Sequence, residues 1–188
     1  MSFYNKIFLT CKDTNLVTEG YNVIDGPINL SPNNIPFKNY VELHYEKFSN
    51  ENMNYGIYSF NGEKWNFQNI ANNNNTKTKV FTGGTFAILN ENEEPIIKNL
   101  TPENGATYNK EDFKKISFNC FDELSGINYS TIKIQLDNKE YYYDYIKYRK
   151  LVESKISESL KAGKHSIRIH VKDNLNNSKI ITHDFFIK

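Results

Sequence analysis

The 188 residues carry 23 Lys and Arg against 22 Asp and Glu, for a formal net charge of +1. That balance, with Arg149 and Arg168 the only arginines, argues against a nucleic-acid partner, because phosphate surfaces recruit a basic excess and bidentate guanidinium groups. No apolar run approaches the ~20 residues that span a bilayer, and the length fits one large domain or two small ones.

The start, "MSFYNKIFLTCKDTN", lacks a signal-peptide core followed by small residues. Either the chain is intracellular or its Met1 is not the natural start. Thereafter apolar residues recur with period two rather than 3.6, the pattern of half-buried strands. The 14% aromatic content suits strands as well. "YVELHYEKF" (Tyr40 to Phe48) alternates in part. "YGIYSF" leads through Asn61-Gly62 into "EKWNF", a hairpin signal because both turn residues tolerate positive φ. "ANNNNTKTK" (Ala71 to Lys79) reads as an exposed loop. "KVFTGGTFAIL" (Lys79 to Leu89) reads as a strand broken at Gly83-Gly84 by a bulge or tight bend.

"NENEEP" (Asn90 to Pro95) is polar and ends in proline, so the domain boundary is placed near Glu93, giving residues 1–92 and 93–188. "KKISFNCF" follows, then "STIKIQLDNKEYYYDY" with Asp137-Asn138 as a second hairpin turn. "KYRKLVESKISESLKAGK" admits a helix or a strand and crossover that sends Leu151 and Ile156 into the core. "SIRIHVKD" is the cleanest strand, with Ile167, Ile169 and Val171 facing in. "KIITHDFFIK" closes the chain. Short strands punctuated by turns predict an all-β chain of two β-sandwich domains in tandem, the second immunoglobulin-like or fibronectin-III-like. Cys11 and Cys120 are too few for a disulfide framework and are expected to be buried free thiols.

The second half resembles a bacterial immunoglobulin-like module. "EEPIIKNLTPENGATYNKEDFKKISFNCFDELSGINYSTIKIQLDNKE" is similar to its "pPxI…P.nG…I.f.v.D..SGI…i.v.lDg" pattern, and "SLKAGKHSIRIHVKDNLNNSKIITHDFFI" to "l..G.H.i.v.v.D..GN…..F.i". "YGIYSFNGEKWNF…TGGTFAIL" resembles a β domain reading "giY.ydg.W.y…lG.fal". Asn176-Asn177 stands where the pattern has Gly-Asn, and Asp137-Asn138 where it has Asp-Gly, and both keep a residue tolerant of positive φ. These two modules adjoin secreted M23-type metallopeptidases that cut peptidoglycan cross-bridges. The resemblance therefore implies an extracytoplasmic accessory region, with Trp65 a core residue. It does not bring the peptidase: His44, His165, His170 and His183 include no H-x-H pair. His165 and His170 point to opposite strand faces, His165 inward at a strand start, with His170 and His183 exposed.

Two groups of residues are candidate sites. Asp122 and Glu123 in "CFDELSGI" and Asp173 and Asn177 in "VKDNLNN" follow strands that can meet at one end of a sandwich. Four such oxygens suit calcium, yet an Asp leaving a strand also caps backbone N–H groups in an Asx-turn. Paired-carboxylate catalysis would need two acids flanking a substrate, and no phosphate loop, G-x-S-x-G elbow or Cys/His nucleophile is present. The second group is "YYYDYIKY": alternation puts Tyr141, Tyr143 and Tyr145 on one side and Tyr142 on the other. One set covers the core, and the other is available to sugar rings or a protein. The expectation is a non-catalytic region without a cofactor, calcium excepted. It would dock or space a partner domain, or bind cell-wall glycan or peptide through tyrosines.

Overall fold

The computed structural model describes residues 8–16, 20–33, 35–45, 54–71 and 76–188. The chain segment read above for a signal peptide lies outside them through residue 7, as do the end of the Tyr40 run at residues 46–48 and the asparagines of the loop at residues 72–75. The chain is all-β and divides into two compact units, Met1–Asn92 and Glu93–Lys188. Among the described residues no helix is long and apolar enough to cross a membrane.

The first unit holds β1 (Thr10–Asp13), β2 (Asn22–Ser31), β3 (Pro36–His44), β4 (Tyr55–Phe60), β5 (Trp65–Ala71), β6 (Lys77–Thr82) and β7 (Gly84–Asn90). Five of them form an antiparallel sheet in the order β1-β2-β7-β4-β5, while β3 and β6 pair separately. Leu30, Ile57, Phe86 and Ile88 from the large sheet pack with Phe37, Leu43 and Val80 from the small one. Each such side chain, once buried, contributes roughly 1.5–3 kcal/mol.

Two readings are sharpened here: of the bulge and the tight bend at Gly83-Gly84, the bend is realised. Gly83-Gly84 is the corner at which the chain leaves one sheet for the other, and β6 and β7 share no ladder. Glycine is required at the first position: a Cβ on Gly83 would lie 2.1 Å from the Pro32 carbonyl oxygen and 2.5 Å from that of Leu30. In the β4–β5 hairpin Gly62 takes the positive φ, at 100°. Asn61 instead works through its side chain, whose Oδ1 accepts the Glu63 and Lys64 amides at 3.0 and 2.9 Å. The strand β6 also takes in Lys77, Thr78 and Lys79, the last three residues of the stretch read as loop.

The second unit contains β8 (Ile96–Thr101), β9 (Thr107–Tyr108), β10 (Lys115–Phe121), β11 (Lys133–Leu136), β12 (Lys139–Tyr141), β13 (Asp144–Ile146), β14 (Leu151–Lys155), β15 (Gly163–Lys172) and β16 (Ser178–Ile187). It is an immunoglobulin-like sandwich of one sheet ordered β13-β14-β10-β8 against another ordered β12-β11-β15-β16-β9. Strict alternation builds its core. Ile116, Phe118 and Cys120 of β10 face Ile167, Ile169 and Val171 of β15, all fully buried. Asp137 and Asn138, with φ of 48° and 68°, make the tight turn that pairs Leu136 with Lys139. Of the two options for residues 147–164, the strand is realised: β14 pairs with β10 and β13, and Ile156 enters the core as expected, but Val152 rather than Leu151 joins it, because the strand's inward parity falls on Val152. A helix there would place β10's edge against water without a partner.

Candidate functional site

The two Asp-led turns meet at one end of the second sandwich. Asp122 leaves β10, and its Oδ1 accepts N–H groups from Leu124 at 3.1 Å and Gly126 at 2.7 Å. The Ser125 hydroxyl lies 3.4 Å from the same oxygen. Gly126 holds φ at 81°, which lets the chain reverse and sends Ile127 back into the core. Asp173 leaves β15 in the same way. Its Oδ1 accepts the Leu175 and Asn177 amides, both at 2.8 Å, and its Oδ2 accepts the Asn177 side-chain amide at 2.7 Å. Asn176 closes this turn at φ 70°.

The turns are also tied to each other. Asn174 donates its backbone N–H to the Gly126 carbonyl at 3.0 Å and its side-chain amide to the Ser125 carbonyl at 2.8 Å, and Ile127 bridges to Asp173. Carboxylate oxygens of Asp122 and Asp173 come within 4.8 Å of each other. Burial, opposed by the bonds from Asn177 and then reinforced by the Asp122 charge, raises the Asp173 carboxyl above its ordinary value. Three of the four residues weighed for calcium are thus brought together. Glu123 lies within the Asp122 turn, but it is exposed and does not converge on the other two acids.

The tyrosine run splits as alternation predicts. Tyr141, Tyr143 and Tyr145 pack against the core. Tyr143 donates its hydroxyl to the Tyr129 carbonyl at 2.6 Å, and Tyr145 stacks on the Tyr129 ring with centroids 4.2 Å apart. Burial raises the hydroxyl pKa of all three. Tyr142 is 99% exposed. It stands where the chain crosses from β12 in one sheet to β13 in the other, and a shallow hollow lies on each side of it. Lys139, Asp144, Glu153, Lys155 and Ser157 line the first; Ser130, Ile132, Lys133 and Ile134 line the second; Glu140 and Tyr141 to Tyr143 line both.

The histidines are placed differently from expectation in part. His170 and His183 are half-buried rather than exposed, and His44 is exposed. His165 is buried as its parity predicts, but its partners were not legible: Nδ1 lies 2.5 Å from Asp137 Oδ2 and Nε2 lies 2.8 Å from the Lys161 carbonyl. A His–Asp pair is the frame of a general base, yet here the second nitrogen faces a backbone carbonyl instead of an open cleft. Trp65 is buried, as the resemblance implies. Cys120 is buried, and burial followed by the Asp122 charge pushes its thiol up to about 12. Cys11 is exposed, because β1 is an edge strand with both faces open to water.

No protein-family profile and no curated protein matches the sequence. Among solved structures the chain is similar to CopC from Methylosinus trichosporium OB3b, with 9% identity and a TM-score of 0.42 over 50% of this chain and 94% of that one. It is also similar to dimeric latent PorU from Porphyromonas gingivalis, with 12% identity and a TM-score of 0.42. That second match takes in 96% of this chain and 24% of PorU, so the chain spans about a quarter of PorU's length.

Proposed function

We propose that the chain is a non-catalytic, extracytoplasmic pair of β modules that spaces, orients or docks a partner domain. An M23-type cell-wall peptidase is the partner implied by the sequence resemblance. The observation that carries the non-catalytic reading is the occupation of its chemistry-bearing groups. Asp122 and Asp173 accept backbone N–H groups at strand ends, and both nitrogens of His165 are engaged within the fold. A general acid, base or nucleophile needs a face open to substrate. The test is incubation with purified peptidoglycan sacculi, with zinc supplied. No soluble muropeptide is expected. Release that Asp122→Asn or Asp173→Asn abolishes would overturn the reading.

A second reading has its own observation. Tyr142 is a solvent-facing ring between two shallow hollows whose rims carry lysines and acids, an arrangement suited to stacking on a sugar and bonding its hydroxyls. Under this reading the chain co-sediments with sacculi, and Tyr142→Ala releases it while leaving the fold intact. Equal sedimentation of the variant would remove Tyr142 as the contact.

A further inference from the structure

We infer that His165, in its doubly protonated form, is a latch that fastens the loop of residues 157–162 to the β11–β12 hairpin, and that loss of one ring proton releases the loop. This inference is independent of the partner-docking and sugar-binding readings.

The geometry leaves the ring one fully satisfied state. Nε2 faces the Lys161 carbonyl at 2.8 Å, and a carbonyl only accepts. Nδ1 faces Asp137 Oδ2 at 2.5 Å, while the other oxygen of that carboxylate accepts the Ser166 amide at 3.0 Å. A neutral imidazole has a single N–H donor, and an imidazolium has two. Only the imidazolium satisfies both acceptors, and it bridges the hairpin turn and the loop through one ring.

The groups facing His165 are few. The hairpin presents Asp137, with Lys139 and Tyr141 farther along. The loop presents the Lys161 carbonyl and, at its other end, Glu158, which is bonded to Lys139 and to the Tyr141 hydroxyl. From β16 the Phe185 ring lies against the imidazole at 5.6 Å between centroids. The neighbouring Asp184 is paired with Lys164 at 2.8 Å. Burial works against the imidazolium, but the bonds to Asp137 and the Lys161 carbonyl, and then the Asp137 charge, outweigh it, so the ring holds its proton above the ordinary range.

Deprotonation has a directional result. The Nδ1–H bond to a carboxylate is charge-assisted and the stronger of the two, so the proton leaves Nε2. The bare nitrogen then points a lone pair at the Lys161 carbonyl, and the C-terminal end of the loop separates. Glu158 keeps the other end in place. Because the native ring titrates above its unfolded value of ~6.5, the latch contributes fully below that pH and is lost as pH rises through the native midpoint.

The test is ring and amide NMR on the ¹⁵N-labelled full chain from mildly acidic to alkaline pH, with His165→Gln assigning the ring signals. The expected spectrum shows protons on both His165 nitrogens in mildly acidic solution and a midpoint above the ordinary ~6.5. The Lys161 and Ala162 amides should move with that same midpoint. In Asp137→Asn, which suits the positive φ of this position, the midpoint should fall and the loop amides follow it. A single-proton tautomer in mildly acidic solution, or loop amides that stay still while the ring titrates, would overturn the latch.

Discussion

Asp122 and Glu123 are adjacent and chemically alike, but the fold treats them differently. Asp122 stands one residue past a strand end, close enough for its carboxylate to reach the amides of the turn. Glu123 points to water. Asp173 repeats the Asp122 arrangement in a fully buried position. Asp173→Ala would leave the Leu175 and Asn177 amides without their acceptor, so a loss of about 2–4 kcal/mol is expected in urea denaturation. Glu123→Ala should stay within about 0.5 kcal/mol, and an equal loss in the two variants would contradict the assignment. Asp173 also has a pH signature. Its raised native pKa means the fold favours the neutral acid, so its charge subtracts stability as pH rises from the unfolded value of 3.8 through the native one. Asp173→Asn should remove that slope. Millimolar calcium should leave the melting temperature unchanged, since three N–H donors already occupy the Asp173 oxygens. A calcium-dependent rise would show that the turn gives up those donors to a metal.

The elements show what period-two patterning can and cannot determine. It separates Ile167, Ile169 and Val171 from their neighbours because sheet geometry alone decides which side of a strand faces in. It divides Tyr142 from Tyr141, Tyr143 and Tyr145 for the same reason. Turn chemistry was equally readable at Asp137-Asn138, Gly126 and Asn176, where only residues tolerant of positive φ fit. Register across strands is not written locally. The pairing of Asp137 with His165 joins a turn to a strand start across 28 positions, and a bulge and a tight bend stayed open at Gly83-Gly84 because sequence does not say that β6 and β7 belong to different sheets. Gly83→Ala would drive a Cβ into two backbone carbonyls and should cost at least about 3 kcal/mol by thermal or urea unfolding. A near-neutral result would mean that the corner is looser than described. Tyr142→Ala should leave stability within about 0.5 kcal/mol. Tyr145→Ala, which removes a stacked, core-packed ring, should cost more than about 1 kcal/mol.

At the scale of the molecule, each of the two β units has an apolar core of its own. The composition pointed to strands through its aromatic content, while the even charge balance leaves no dominant field for a polyanion. The function was less legible. A docking or spacing role depends on surfaces rather than on a convergent set of reactive groups, and such surfaces carry no spacing rule in sequence. What the fold adds is where the suspected groups are held: Asp122 and Asp173 in turns, His165 between Asp137 and the Lys161 carbonyl, and Tyr141, Tyr143 and Tyr145 against the core. The most direct measurement is the rate at which an M23-type peptidase domain solubilises purified sacculi when joined to this chain, compared with the same domain alone. The account predicts faster solubilisation by the joined protein and equal turnover of both on a short soluble peptide. Equal rates on sacculi would contradict it.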